Sequence, residues 1–552
     1  MKAQMSEAFR EGIRDGIRDG IRDAMQYGAR IAGVLAVATG IAGAAHAANG
    51  DVAAQQLLEA KCGACHLDNG KLNRISEIRK SPEGWDMTVV RMGIWHKVEL
   101  TPGERQTIVK YLADRQGLAP SESAPYRPLT ERQPNMQDTA PDEELAQMCG
   151  RCHSYGRVAL QRRDEGEWRK LMHTHLGQFP SAEYSAMGRD RNWWEIARDQ
   201  MPVRLAALYP KDTPAWREWR SAKHRPATGN WVVAGERPGW GAYTGTMTAR
   251  AAGPDRYEVS YELRFGPGNT VRGQGDAIVY TGYEWRGSAQ LGNEDTRSIF
   301  ALSPDGSRMS GRWFLKGADE IGARFEAVRA DDAVKNELVS VTPRMLRNGA
   351  TADLTLAGVA LDAKVDFGPG IEVVEWLGTS PGGLKVRVRV AADAPEGVRK
   401  VVVGGRESAQ TVAVFKRFDA VRVEPAFAVA RLGGGTVAPM SAQFDAVAFL
   451  NGADGKPGTD DDIRLGSVPA TWSTEPFDER ARHDEDARYA GHMAPHGQFV
   501  PSFGGPNPLR RGGINNVGNL SVIATVADGD QTLNGKGQLM VVAQRWNPTP
   551  LR

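Results

Sequence analysis

Cys62-Gly63-Ala64-Cys65-His66 and Cys149-Gly150-Arg151-Cys152-His153 are two copies of one pentapeptide, Cys-x-x-Cys-His, and together they use all 4 cysteines of the chain. Two thiols separated by two residues on a helical turn can add to the two vinyl groups of a haem. The histidine that follows is then placed under the iron as its proximal ligand. One copy could arise by chance; two copies with no cysteine left over point to a dihaem c-type cytochrome segment. A zinc site built from four thiolates would not need a histidine after each pair, and the two pairs stand far apart for zinc knuckles. A thioredoxin-like redox pair would need a preceding strand in a βαβ unit.

Whether each iron keeps an open position separates an electron carrier from a haem catalyst. Each motif is followed by a tryptophan, Trp85 and Trp168, and the seventh residue beyond each is Met92 and His175. Both are haem-competent, so the spacing predicts His66/Met92 on the first iron and His153/His175 on the second. His96 and His173 are their rivals by a small shift of register, and Met201-Pro202 is a further candidate for the second iron. A methionine on a helix more often fills a core; the repeat is what favours ligation by Met92. Trp95, Trp193 and Trp194 are expected against porphyrin edges or, equally, as core aromatics.

Upstream of the first motif, Arg10, Arg14, Arg18, Arg22 and Arg30 precede a short apolar run from Ile31 to Ala45, and Ala45-His46-Ala47 forms a small-x-small cleavage site. This is the pattern of a secretory signal peptide over residues 1–47 and predicts a periplasmic mature chain. No other stretch is apolar enough for a membrane span. Lys and Arg number 69 against 67 Asp and Glu, a balance that gives no argument for nucleic acid or an anionic membrane.

A chain of 552 residues is too long for one core. The fold class predicted is multidomain, α followed by all-β. A helical dihaem cytochrome c domain is expected over 48–225, with lobes about 48–120 and 138–225. Thr101-Pro102-Gly103-Glu104 reads as a capping box opening a helix whose apolar face is Ile108, Val109, Tyr111 and Leu112, with Gly117 as its stop. The Pro-, Ser-, Glu- and Arg-rich stretch 118–140 reads as a linker. After residue 225 the period changes to two: Tyr257, Val259, Tyr261 and Leu263 alternate with polar residues as in a half-buried strand. A β-barrel or sandwich is expected over 226–335, of which the barrel is preferred. Two immunoglobulin-like β-sandwich domains should follow, at 336–418 and 419–552. Leu384, Val386, Val388 and Val390 alternate in the first of these, and Leu520, Val522, Ala524 and Val526 share one strand face in the second. Val421-Arg-Val-Glu-Pro425 echoes Val339-Ser-Val-Thr-Pro343 about one such domain later.

Asn451 to Asp462 places several carboxylates, Asp454, Asp460, Asp461 and Asp462, in a Gly-rich turn. Such an oxygen-rich loop could hold Ca²⁺, but it lacks the closing Glu of an EF-hand, and a solvated hairpin tip is the preferred reading. His483, His492 and His496 fall in a charged stretch between Trp472 and Ile514, expected as a long loop that contacts a partner. No nucleotide-binding, serine-elbow or zincin motif is present, so no catalytic residue is assigned.

A signal peptide, two haem lobes and three β domains in this order resemble the α subunit of bacterial quinohemoprotein amine dehydrogenases. The most specific stretches are Arg79-Lys-Ser-Pro-Glu-Gly-Trp-Asp-Met87, Met148-Cys-Gly-Arg-Cys-His-Ser-Tyr155, Leu176-Gly-Gln-Phe-Pro180 and Arg189-Asp-Arg-Asn-Trp-Trp194. The resemblance implies a heterotrimer with a β-propeller subunit and a small subunit carrying cysteine tryptophylquinone, where primary amines are oxidised. This chain would then pass electrons from the quinone to a blue copper protein or cytochrome c. A self-sufficient dihaem enzyme such as a peroxidase is the alternative and would need an open iron. A haem-bearing adhesion or sensor protein is the third reading.

Overall fold

The computed structural model describes residues 51–543 apart from 134, 135, 137, 180–189, 267, 332, 333, 363, 381, 435 and 436. The expected signal peptide lies outside the described residues. No described helix is long and apolar enough to cross a membrane. The chain forms two compact units, one reaching to Ser76 and including Asp86–Leu112, the other containing Glu77–Trp85 and everything from Ala113 onward.

In the first unit, helix 51–66 carries the first pentapeptide at its C-terminal end. The capping box forms as expected: Thr101 N donates to Glu104 Oε2 at 2.8 Å, and Glu104 N donates to Thr101 Oγ1 at 3.2 Å. It opens helix Pro102–Arg115, with Ile108, Val109 and Leu112 buried. Lys61 and Arg105 tie this helix to its neighbours through Glu104 (3.0 Å) and Asp86 (2.6 Å).

In the second unit, strand Ile78–Lys80 pairs antiparallel with Gln161–Arg163. The stretch expected as a linker is structured over residues 118–133. It makes short helices at Pro120–Ser123, Ala124–Tyr126 and Arg127–Thr130, and it buries Leu118, Ala119, Ser123, Thr130 and Glu131. Ser123 Oγ meets Tyr283 OH at 2.7 Å, and the buried Arg312 donates to the carbonyls of Arg132 (2.7 Å) and Asp319 (2.6 Å). Composition alone could not reveal this, because the segment is held by polar groups rather than by an apolar stripe. Gly117 is likewise a point of close approach. A Cβ there would stand 2.6 Å from Thr281 Cγ2 and 2.3 Å from Ala113 O.

Residues 229–329 form a closed barrel of eight antiparallel strands in up-and-down order, the first (Gly229–Arg237) pairing with the last (Ala318–Arg329). Tyr257, Val259, Tyr261 and Leu263 all point inward, as the alternation requires. Trp231, Tyr243, Trp285, Phe300, Trp313 and Phe325 fill the interior, with Phe300 and Phe325 stacked at 3.9 Å. The cavity among Tyr261, Leu263, Phe300, Trp313 and Phe325 is about 10 Å³, room for one water at most, so the barrel interior there is a packed core. Helix Pro214–Ser221 joins this core through Trp216 and Trp219.

On the barrel, Arg286 pairs with two carboxylates, Glu83 (2.5 Å) and Glu284 (2.6 Å). Glu83 keeps a third of its exposure, whereas Glu284 is sealed and its Oε1 has no hydrogen-bond partner. Burial, with the Glu83 charge adding and Arg286 opposing, pushes the Glu284 carboxyl up to about 7. A carboxyl raised above its unfolded value holds its proton more tightly in the native state, so stability falls as pH climbs from about 4.5 to about 7. Glu284→Gln keeps an acceptor for Arg286 and removes the second negative charge. The variant should gain on the order of 2 kcal/mol over wild type at pH 8 and little at pH 4. Thermal unfolding of both proteins across this range checks it; a difference that does not change with pH would show that the native carboxyl is not raised above its unfolded value.

Two β-sandwich units follow. The first packs sheet Glu337–Thr342, Thr351–Val359, Gly383–Val390, Ile371–Ser380 against sheet Met345–Arg347, Arg406–Phe415, Gly397–Val403, Val365–Asp366, and both contribute to one core. The second sets Ala420–Glu424, Asp445–Leu450, Ile463–Ser467 against Phe427–Arg431, Gln531–Val542, Gly518–Asp528, Thr471–Pro476. The echoed openings take the same form. Each is a strand, a cis bond to Pro343 or Pro425, and then a short strand running parallel to the domain's last strand. The charged stretch before Ile514 is not a plain loop. It contains helices Glu479–His483 and Asp486–Tyr489 and strands Gly491–Met493 and Gln498–Pro501, which form a small sheet with the upstream strand Ala442–Gln443. His496 stacks on Trp240 of the barrel at 4.4 Å, and its Nδ1 donates to Gly239 O at 2.7 Å.

Candidate functional site

Ligand geometry begins with which ring nitrogen a histidine presents. His66 Nδ1 lies 3.0 Å from Asn73 O, His153 Nδ1 2.9 Å from Ser154 O, and His175 Nδ1 2.9 Å from Leu171 O. A carbonyl only accepts, so in each case Nδ1 donates and Nε2 is the acceptor nitrogen of the ring. This is the second-shell arrangement that fixes a metal-binding histidine in orientation and tautomer.

The rings of His153 and His175 face one another with centroids 6.5 Å apart. With each coordinating nitrogen about 2.0–2.1 Å from a metal and a little over 1 Å from its own ring centre, a metal between two imidazoles sets the centres about 6.3 Å apart. The observed spacing, with the rings tilted at 45°, is of the size a metal shared by the two would need. His175 sits on helix Glu165–Gln178, which Asp164 caps by accepting from Glu167 N at 2.8 Å. The rival His173 is exposed on another face of that helix, edge-on to Trp194 at 5.0 Å. Met201 is 1% exposed within the lobe's core with Leu145, Met148, Trp168 and Trp193, which makes it a packing residue.

In the first unit, Met92 is half-buried and His96 exposed on helix Pro82–His96. Trp85 and Trp168 are both the fourth residue of their helices and are buried at 1% and 0% exposure. Seven residues is close to two helical turns, so Met92 and His175 fall on the faces of these anchoring tryptophans. Trp193 is also buried and donates to Met148 O at 3.2 Å, while Arg91 lies over Trp95 at 5.9 Å.

None of the four cysteines is paired in a disulfide; Cys65 and Cys152 are exposed, Cys62 and Cys149 half-buried. Burial, with the charge of Cys65 adding, raises the Cys62 thiol, and burial pushes Cys149 up to about 12. Among the described residues, no three His, Cys, Asp or Glu side chains converge as a metal cluster. In the acidic turn, Asp454, Asp461 and Asp462 accept from backbone N–H groups of the turn itself, at Lys456, Ala453 and Gly458.

One feature of the lobes escaped the sequence reading. Glu122, in the supposed linker, pairs with Arg79 at 2.8 Å and Arg162 at 3.1 Å, with all three side chains buried. Burial alone would raise its carboxyl, but hydrogen bonding to Arg79 and the charges of both arginines hold it down at about 2. The signal available was repetition, since each arginine stands six residues before its tryptophan.

Four family profiles match in chain order. They are described as quinohemoprotein amine dehydrogenase A, alpha subunit, haem binding (residues 52–216), and quinohemoprotein amine dehydrogenase alpha subunit domain II (224–330), domain III (335–416) and domain IV (421–551). No curated protein matches the chain. Among solved structures, a redesigned beta barrel is 18% identical, covering 20% of this chain and 100% of its own at a TM-score of 0.18. The Bacteroides ovatus mixed-linkage glucan utilization protein SGBP-B is 9% identical, covering 46% of this chain and 54% of its own at 0.17. Similarity at that level carries no argument about fold or function.

Proposed function

Because the chain belongs to the α-subunit family of quinohemoprotein amine dehydrogenases, we propose that it is the dihaem electron-transfer subunit of an exported amine dehydrogenase. The observation that carries the reading is the facing pair His153 and His175, each anchored through Nδ1 and directly linked to a Cys-x-x-Cys-His motif or its ligand helix. Haem c would be attached at Cys62 and Cys65 and at Cys149 and Cys152. His66 and Met92 would bind the first iron, His153 and His175 the second. A haem at each motif supplies a one-electron acceptor whose potential follows its axial ligands, methionine raising it relative to imidazole.

The protein's own part is to hold those ligands. Carbonyls of Asn73, Ser154 and Leu171 orient the three imidazoles, and Trp85 and Trp168 anchor the two helices that bring the sixth ligands. With both positions filled by protein, amine oxidation and its catalytic base belong on a partner. We assign them to a small subunit bearing cysteine tryptophylquinone, assembled with a β-propeller subunit, and we take a blue copper protein or cytochrome c as the external acceptor. The two facing four-stranded sheets of the first sandwich, with a short strand beside its last one, support an immunoglobulin-like reading. We read both sandwiches as scaffold of that kind. The location is periplasmic, as the signal-peptide pattern requires.

Intact mass of the native, purified and denatured protein tests this. The expected chain starts after residue 47, carries two covalent haems, and arrives with two smaller chains. A colourless chain, or one haem only, would overturn the dihaem reading; a chain that purifies alone would overturn the assembly.

A further inference from the structure

We propose that Glu122 is a positioning residue for both axial-ligand helices, acting through Arg79 and Arg162; the proposal rests on the ligand reading above. Arg79 and Arg162 occupy the same place in the two lobes, thirteen residues before Met92 and His175 respectively. Each lies on a short strand that runs almost directly into the ligand helix. One residue, Ser81, separates Ile78–Lys80 from Pro82–His96, and one, Asp164, separates Gln161–Arg163 from Glu165–Gln178. With so little chain between, a shift of either strand is passed to its helix.

The two arginines are also directly opposite one another in the strand pair. Like charges at that position destabilise a sheet, and these two are buried, where the repulsion is least screened. Glu122 resolves it. Its Oε2 takes Arg79 Nη1 and its Oε1 takes Arg79 Nη2 and Arg162 Nε, while Thr213 Oγ1 and Ala119 N steady the carboxylate at 2.9 and 2.8 Å. The remaining guanidinium donors go to fixed carbonyls, Arg79 to Gly117 and Lys211, Arg162 to Ala159 and Gln161. Trp216 and Tyr209 pack against the two guanidinium groups, at 4.9 and 5.1 Å. One carboxylate thus fixes the same position of both repeats, so its removal acts on both ligand sets together.

The test uses the holoprotein with its co-purifying chains. Glu122→Gln should shift the electron paramagnetic resonance signature of both haems and change the ferric-to-ferrous ratio of each at least threefold at a fixed ambient potential. Glu122→Asp should restore part of both. Arg79→Lys should alter the first haem alone and Arg162→Lys the second alone; these two variants carry the test if Glu122→Gln does not accumulate. A Glu122→Gln protein that melts earlier with both signatures and both ratios unchanged makes the cluster a stability clamp only and overturns the proposal, as does a change confined to one haem. The wild-type spectrum separately tests the ligand reading: two low-spin haems are required before any variant is compared.

Discussion

Replacing His175 with alanine is expected to turn the second haem from low-spin to high-spin and to open it to carbon monoxide or cyanide at neutral pH, leaving the first haem as it was. The centroid separation of 6.5 Å between His153 and His175 is close to what two imidazoles sharing one metal would need, and the Nδ1 bond to Leu171 O turns the His175 ring so that Nε2 is its acceptor. Among the described residues, the two rival ligands are poorly placed: His173 is exposed beside Trp194, and Met201 is committed to the core. Half of the low-spin signal should therefore be lost. His173→Ala is the control and should leave the spectrum unchanged. The parallel variant Met92→Ala should open the first haem and lower its potential, since loss of a thioether removes the ligand that holds it high. A His175→Ala protein with both haems still low-spin would remove His175 from the ligand set.

Much of this architecture was readable from the chain because it is written in local, periodic signals. The capping box at Thr101 and Glu104 needs only two side chains and their own backbone, and it forms as read. The alternation from Tyr257 to Leu263 fixes a strand face whatever the sheet closes into. What periodicity leaves open is closure itself, because sandwich and barrel strands alternate alike; the pairing of Gly229–Arg237 with Ala318–Arg329 decides it. The repeated Trp-to-ligand spacing was legible because both helices begin three residues before the tryptophan.

The two segments read as irregular were misjudged for one shared reason. Stretch 118–140 and the stretch before Ile514 are rich in charge, and charge is assigned to solvent by default. In the fold the deciding members are buried and paired: Glu122 with Arg79 and Arg162 in one, Asp486 with Arg510 in the other. Glu122 meets arginines from outside its own stretch, and Asp486 and Arg510 stand 24 residues apart, so neither pairing follows a helical or strand period. The Cys-x-x-Cys-His pentapeptides are local and legible in the chain; the charge cluster that joins Ile78–Lys80 and Gln161–Arg163 is long-range and is not.

That second pair should be the most sensitive point of the C-terminal domain. Arg510 is 1% exposed in its side chain, and it serves four acceptors at once. Nη1 donates to Asn515 O (2.8 Å) and Val517 O (2.6 Å), and Nη2 donates to Asp484 O (2.8 Å) and Asp486 Oδ1 (2.6 Å). Asp486 in turn accepts from Asn519 N at 2.9 Å, which links the insertion to strand Gly518–Asp528. Arg510→Ala leaves a buried carboxylate without its cation and three carbonyls without donors, and breaking a buried pair in this way costs about 3–5 kcal/mol. Lysine should rescue little, because a single ammonium cannot span acceptors arranged for a planar fork. The neighbouring Arg511→Ala, on an exposed pair with His483, should stay within about 0.5 kcal/mol of wild type. Calorimetry and limited proteolysis check the contrast: Arg510→Ala should lower the melting of this domain and expose the 478–517 segment to cleavage. Equal behaviour of the two variants would mean that the insertion is held by its apolar contacts and that the buried guanidinium is incidental.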